Sequence, residues 1–373
     1  MKRNVWLTVF AGLIVFGLVG AVMVLTKGHS VFGTTDYVPW GILISTYIFF
    51  VVTSTGLCLI SSMGHVFGIE PFQFIAKRAV LLAIVTLLAG FAVIGLELGQ
   101  PLHLFWILLS PNPTSAIFWM GAMYSLYLVL MIVEFYLLMR GQHDWAKKAG
   151  LAAFVAAITA HSILGSIFGF LHARPFWEGP YLPIYFILSA LISGTAILIV
   201  MYFIKEKDEM PSAIVPALTK LLMLFVGISI FFSIWKVMTG IYGHPYGKYE
   251  AFQALFSGPL SWSYWLFEVG LGMLVPVIVL LINRSRAAVF WVAATILVAI
   301  FFMRYNLVVV GQIVPLEVID VSTSVAYLHF YRPTWVELSI VAGALGFTGF
   351  AYLWGEKKFN LNVSGHNKAV KTT

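Results

Sequence analysis

Long apolar runs, separated by short polar segments, follow one another along almost the whole chain. A run of about 20 apolar residues is long enough to cross the hydrocarbon core of a bilayer as a helix. The pattern therefore predicts an all-α integral membrane protein with ten transmembrane helices. These helices lie roughly at residues 5–26, 39–63, 78–98, 116–139, 149–172, 183–204, 214–241, 260–282, 287–311 and 334–354. We expect one polytopic membrane domain over residues 1–355 and a polar cytoplasmic tail over residues 356–373.

The composition agrees with this prediction, since 61% of the residues are hydrophobic and 10% are charged. Most of the 22 lysines and arginines fall at the two termini and in the segments after the even-numbered helices. Basic residues favour the cytoplasmic side of a membrane, so both termini are predicted to be cytoplasmic. We expect a multi-pass membrane protein. This distribution accounts for the net charge of +7 without a nucleic-acid partner, and the lipid bilayer is the expected surrounding.

Short motifs recur at one spacing along the chain. Tyr37-Val38-Pro39 and Tyr181-Leu182-Pro183 are 144 residues apart, and so are Gly99-Gln100-Pro101 and Gly243-His244-Pro245. An even number of helices separates the copies, so the repeat is parallel rather than inverted.

The repeat predicts two parallel four-helix bundles inside the membrane domain. Helices 2–5 form the first bundle over residues 39–172, and helices 6–9 form the second over residues 183–311. Helices 1 and 10 flank them.

Two ionisable residues of the first bundle are candidates for proton chemistry. His161 is predicted near the middle of helix 5, and Glu97 at the outer end of helix 3. Ionisable groups at membrane depth are costly and commonly functional, and an imidazole can exchange a proton near neutral pH. We predict that both groups exchange protons with a bound quinone, and that Trp40 and Tyr47 shape the apolar slot around its ring.

A second group of charges lies in the later helices: Lys236, Glu268, Arg304 and Glu337. One interpretation is structural, with Lys236 paired to Glu268 and Arg304 paired to Glu97 or Glu337, because charges in lipid require partners. The alternative interpretation is functional, as the binding of a polar headgroup or a pathway for protons.

Metal and haem chemistry are not expected within the chain. Cys58 is the single cysteine, which leaves no thiolate set for an iron–sulfur cluster. A bis-histidine haem needs two deep imidazoles, and His161 has no deep partner. His65, near Glu70 on the inner side, is expected to be a solvated loop residue.

Seven short motifs stand out along the chain: Tyr37-Val-Pro-Trp-Gly41, Glu97-Leu-Gly-Gln-Pro101, Pro111-Asn-Pro113, His161-Ser162, Leu164-Gly-Ser166, Arg304-Tyr-Asn306 and Arg332-Pro-Thr-Trp-Val-Glu337. Taken together, they resemble the NrfD/PsrC family, the membrane subunits of polysulfide reductase and its relatives. The similarity is strongest to the ten-span branch that includes the DsrP and HybB subunits. Many members of the family have Asp-Leu-Gly-Arg-Pro where this chain has Glu97-Leu-Gly-Gln-Pro101, so the carboxylate is kept and the arginine is missing.

The resemblance implies a membrane subunit that exchanges electrons between menaquinone and a ferredoxin-like iron–sulfur subunit docked on the outer face. Further membrane or cytochrome subunits are implied as partners, and the redox centres would lie in those partners. The family's quinone site would map to Trp40, Tyr47, Glu97 and His161. Within the branch, a DsrP-like subunit of a sulfur-metabolism complex in a prokaryotic cytoplasmic membrane is the specific expectation. The rival hypotheses are a redox-coupled proton pathway through the second group of charges and a purely structural membrane anchor.

Overall fold

The computed structural model describes residues 3–204, 213–315, 328–359 and 361, and they form a bundle of long helices. Ten of these helices are long and apolar enough to cross a membrane. We number them α1 to α10: Arg3–Lys27, Ile42–His65, Ala76–Glu97, Ala116–Met139, His143–Gly169, Tyr181–Ile204, Ile214–Ile241, Ser261–Ile282, Arg286–Ile313 and Trp335–Lys358. The prediction of an all-helical membrane protein with ten spans is confirmed.

Two helix boundaries differ from the predicted ones by more than three residues. The fifth helix begins at His143 rather than near residue 149. Its first turns carry Lys147 and Lys148, and Lys148 packs over the Trp145 ring at 4.5 Å, so the helix extends beyond the apolar run. The last helix continues to Lys358. Residues 360 and 362–373 of the predicted tail lie outside the described residues.

The helix packing is consistent with two bundles of the same design. In the first, α2 packs on α3 and α5, and α4 packs on α5 and α3. In the second, α6 packs on α7 and α9, and α8 packs on α9 and α7. The boundaries of the two bundles stay a prediction. Helices α1 and α10 pack on each other beside the first bundle, with Gly17 against Gly343.

The two bundles meet along α2 and α6. Gly56 of α2 faces the backbone of Ala190 and Gly194 in α6, and a Cβ atom at either glycine would overlap the opposite helix. Small residues let membrane helices approach closely, which strengthens dispersion and weak backbone contacts where lipid removes the hydrophobic driving force. The first helix of one bundle is thereby held against the first helix of the other.

Helix α10 begins in a buried polar joint. Glu337 accepts hydrogen bonds from the backbone nitrogens of Thr334 and Gly33, both at 2.8 Å, and from the Tyr331 hydroxyl at 2.6 Å. The Tyr331 hydroxyl in turn accepts a bond from the Ile42 nitrogen at 2.8 Å. Burial raises the pKa of the Tyr331 phenol above its ordinary value, so this hydroxyl stays protonated. The joint ties the starts of α2 and α10 to the segment after α1.

Candidate functional site

A large cavity with an apolar lining lies inside the first bundle, where α2 begins and α3 ends. We call this the outer end of the molecule, following the charge distribution. The cavity has a volume of about 470 Å³, within the range of ordinary small-molecule sites. Its walls come from all four helices and from the segment after Pro101. Three of the four residues predicted to form a quinone site line it: Trp40, Tyr47 and Glu97.

Trp40 is held in place from the second bundle. The Gln312 side chain of α9 accepts a hydrogen bond from the Trp40 nitrogen and donates one to the Trp40 carbonyl oxygen, both at 2.9 Å. The indole stacks on Trp177 at 5.5 Å and meets the edge of Phe168 at 5.5 Å. The ring is therefore a rigid wall of the cavity.

Tyr47 and Glu97 carry the polar groups with the fewest protein partners in this cavity. Among the described residues, the buried Tyr47 hydroxyl makes one weak contact, to the Met120 sulfur at 3.8 Å. Glu97 is the last residue of α3, and within the described part of the chain its carboxylate has no ion-pair partner. The imidazole of His29, from the segment after α1, packs against the Gly99 turn beside it. That turn has a φ of 69°, which favours glycine.

His161 does not line the cavity itself. It is fully buried in α5, and its Nδ1 atom lies 3.0 Å from the hydroxyl of Tyr124, which does line the cavity. The Nε2 atom of His161 is buried without a hydrogen-bond partner among the described residues. His161 therefore lies behind the cavity wall, with Tyr124 between its ring and the cavity. Tyr124 was not predicted, because a phenol within an apolar helix has the same pattern as a packing residue.

Three charges of the second bundle come together around the Tyr185 ring, although they do not form the predicted ion pairs. The Lys236 ammonium lies 5.4 Å and the Arg304 guanidinium 5.6 Å from the centre of that ring. Glu268 instead accepts a hydrogen bond from Asn306 at 3.1 Å, and Arg304 donates to Ser189. Within the described ranges no carboxylate is ion-paired with Lys236 or Arg304.

The predicted pairing of Arg304 with Glu97 or Glu337 is wrong for a structural reason. Glu337 belongs to the joint at the start of α10, where its oxygens already accept three hydrogen bonds. Glu97 faces the cavity of the first bundle. Arg304 lies 4.3 Å from the centre of the Phe186 ring of α6 and donates to Ser189 of the same helix.

The Phe186 ring contacts both His161 and Arg304. The His161 ring is 5.8 Å from the Phe186 ring, and the Arg304 guanidinium lies over that same ring. The repeat offset places His161 of the first bundle opposite the Arg304-Tyr305-Asn306 segment of the second. The corresponding positions of the two copies therefore face one aromatic side chain at the interface.

Glu268 lies in an unusual stretch of helix. Residues Tyr264–Leu274 of α8 form a π-helix, whose wider turns change which side chains face the bundle. Such segments are rare and are frequent at functional sites. Asn306, which donates a hydrogen bond to Glu268, accepts one from Ser263 at 2.7 Å through its side-chain oxygen.

The expectation that His65 is a solvated loop residue is wrong. His65 is the last residue of α2, and its Nε2 atom lies 2.9 Å from Glu134 of α4. Both side chains are buried, with exposed fractions of 10% and 1%. They are far apart in sequence, so only the packing of α2 on its neighbours brings them together.

Comparison with known proteins assigns the family. The family described as polysulphide reductase, NrfD, matches residues 30–316. The chain belongs to the NrfD family. It is 25% identical to a selenate reductase subunit of Mesobacillus selenatarsenatis, over 93% of this chain and 91% of that protein. It is 28% identical to the Hdr-like menaquinol oxidoreductase integral membrane subunit of Archaeoglobus fulgidus, over 88% and 86%.

A third relative is similar over a comparable length. The menaquinone reductase integral membrane subunit of Nitratidesulfovibrio vulgaris is 22% identical, over 90% of this chain and 86% of that protein. The resemblance found from the motifs is thus confirmed at the level of the family, and the chain is a multi-pass integral membrane protein.

Proposed function

We propose that this chain is the quinone-reactive membrane subunit of a multi-subunit respiratory oxidoreductase. The observation that carries the proposal is the 470 Å³ cavity, because an apolar slot with a few polar groups is what a quinone ring requires. Two relatives whose names contain menaquinol or menaquinone support menaquinone as the substrate.

Each polar group of the cavity has a role in this proposal. Trp40 packs on the quinone ring, and the Tyr47 and Tyr124 hydroxyls donate hydrogen bonds to its oxygens. Oxidation of a quinol releases a proton with each electron, so a base within reach is needed. Glu97 accepts a proton at the outer end, and His161 exchanges a proton through Tyr124.

We propose that the electrons leave through another subunit. The chain has one cysteine, and its described residues contain no group of metal-ligating side chains. We propose a ferredoxin-like iron–sulfur subunit docked on the outer face, near the mouth of the cavity, with further membrane or cytochrome subunits in the complex. A DsrP-like place in sulfur metabolism, in a prokaryotic cytoplasmic membrane with both termini inside, is the specific form of this proposal.

Binding of a fluorescent naphthoquinol analogue by the purified chain tests this proposal. We expect saturable quenching in the wild type and roughly tenfold weaker binding in Trp40→Ala, because removing a buried aromatic wall costs about 1.5 kcal/mol or more of contact energy. Trp145→Ala is the matched control, since this exposed indole lies at the inner end of α5. Equal affinity in all three proteins would exclude the cavity as the binding site.

A second candidate function is a proton pathway, and the orphaned polar atoms of the first bundle favour it. Thr55 and Ser62 lie on one face of α2 by their helical spacing. Their hydroxyls, one oxygen of Glu134 and Nε2 of His161 are all buried without partners among the described residues. Such atoms are costly in lipid unless water satisfies them. We propose that bound water joins them into a track from His161 to the Glu134–His65 pair.

Complexes reconstituted with their inner ends facing the vesicle lumen test the track. During quinone turnover we expect a trapped pH-sensitive dye to report proton exchange that Glu134→Gln reduces about tenfold, because the amide cannot pass a proton. Glu70→Gln, on the exposed inner surface, should leave the dye signal unchanged. An undiminished signal in Glu134→Gln would rule out this track.

A further inference from the structure

A second cavity lies at the outer end of the other bundle. It has a volume of about 390 Å³ and is bounded by the start of α6, the end of α7 and the short helix Lys248–Phe256. The first cavity lies between the start of α2 and the end of α3, so each repeat has a cavity in the corresponding place. The walls of the second cavity are mainly aromatic and include Tyr181, Phe232 and Trp235.

Lys236 forms the floor of this cavity. Its side chain also lines a much smaller cavity beneath, of about 20 Å³, which Glu268 shares. The ammonium lies 4.3 Å from the Phe176 ring, and in the described part of the molecule it has no ion-pair partner. Lys248 lies at the rim of the same cavity. Lys236 and Lys248 therefore both line this aromatic cavity.

The polar groups behind Lys236 have an excess of unsatisfied donors. Arg304 is fully buried, and its Nε and Nη1 atoms have no hydrogen-bond partner among the residues described. The Tyr181 hydroxyl is also without a partner. Glu268 is the carboxylate of this cluster and is shared with Asn306. The cations Lys236 and Arg304 against the carboxylate of Glu268 leave a net positive charge, and charges at membrane depth require a counter-charge.

Glu178, the carboxylate at the rim of the cavity, does not supply this counter-charge. Glu178 lines the cavity, but it is exposed and its Oε1 atom lies 2.8 Å from His172. The hydrogen bond from His172, with smaller contributions from the charges of His172 and Lys248, lowers the pKa of the Glu178 carboxyl, which therefore stays ionised at the rim. The deeper lysine is left without an anionic partner.

The cavity also borders the lipid-facing side of α7. Trp235 is 55% exposed, and Phe231, Ile234 and Met238 on the same helix are exposed apolar side chains. A free anion would need a polar approach, whereas an amphiphile could enter from the bilayer with its tail along this apolar face.

We propose that this cavity binds the phosphate headgroup of an anionic phospholipid from the outer leaflet, with the phosphate between Lys236 and Lys248. The aromatic walls hold the upper part of the lipid, and its acyl chains lie along the exposed face of α7. A free phosphate ion would present the same group to the two lysines, so the test must separate these sources. The proposal does not depend on the quinone site of the first bundle.

Electron spin resonance of spin-labelled lipids around the purified full chain tests this site. In micelles of a zwitterionic lipid we expect labelled phosphatidylglycerol to be immobilised about fivefold in preference to labelled phosphatidylcholine. Lys236→Met should abolish the preference, and Lys236→Arg should keep it. Lys220→Met, which removes an exposed lysine nearer the other end of α7, should have no effect.

A further variant and a competition with inorganic phosphate distinguish a lipid headgroup from a free phosphate ion. Lys248→Met, at the rim, should reduce the preference and serves as the second variant if Lys236→Met does not fold. Immobilisation that persists in millimolar inorganic phosphate supports the lipid. Displacement by phosphate would overturn the lipid as the ligand. A preference unchanged in Lys236→Met and Lys248→Met, or equally reduced in Lys220→Met, would overturn the site.

Discussion

Glu97→Gln should lower quinol oxidation by the assembled complex about 100-fold, the size expected for loss of a positioned general base. Glutamine keeps the shape and volume of the side chain, so the cavity wall and the end of α3 are preserved. The amide cannot accept a proton, and no other carboxylate lines this cavity in the described chain. The effect should therefore fall on turnover rather than on assembly.

Steady-state oxidation of a soluble menaquinol analogue, with complex assembly followed by gel filtration, measures this effect. Glu178→Gln is the matched control, because Glu178 is an outer carboxylate that lies outside the first cavity. We expect its turnover to remain within about twofold of the wild type, as for a surface residue away from the chemistry. Wild-type turnover in Glu97→Gln would remove Glu97 from the proposed mechanism.

Gly56→Val should destabilise the folded chain by about 3 kcal/mol, the upper end of the usual cost of overpacking. A Cβ atom at Gly56 would overlap the carbonyl oxygen of Ala190, which belongs to the backbone of α6. Backbone cannot move aside as a flexible side chain can, so the two bundles would have to separate at this point.

Thermal unfolding of the purified chain, followed by its helical circular dichroism signal, measures this loss. Gly227→Ala in α7 is the control, since nothing lies within 4 Å of a Cβ atom there. Alanine is favoured over glycine in helices by about 1 kcal/mol, so this variant should be as stable as the wild type or more so. Equal stability of Gly56→Val and Gly227→Ala would contradict the close contact between α2 and α6.

Hydropathy was sufficient to predict the ten spans, because the bilayer fixes the length of an apolar helix and leaves few alternatives for the backbone. The start of α5 was less predictable. Lys147 and Lys148 interrupt the apolar run, but a helix can extend beyond the membrane with charged residues on its first turns.

The composition of the first site was predictable in part. Trp40, Tyr47 and Glu97 stood out as aromatic and ionisable residues at helix ends, and they line one cavity. The position of His161 behind Tyr124 depends on how α4 and α5 are rotated against each other, which hydropathy does not specify. The His29 contact was missed because it depends on the path of a loop.

Pairing between charges was the least predictable feature. Lys236 and Glu268 share a small cavity, as opposite charges of neighbouring helices would, but the ammonium packs on aromatic rings and the carboxylate bonds to Asn306. The pair of His65 and Glu134 forms between residues with no sequence signal of proximity. In an apolar medium several polar partners compete for each charge, and packing details decide among them.

The central claim is that a quinone occupies the first cavity, and the site of attachment of a photoreactive menaquinone analogue tests it most directly. After illumination of the purified chain, mass spectrometry of its peptides locates the label. We predict attachment to cavity-lining residues of α2, α3 or α4, such as Tyr47 or Met120, and protection by excess unlabelled menaquinone. Labelling confined to the second bundle, or spread over the lipid-facing surface without protection, would contradict the claim.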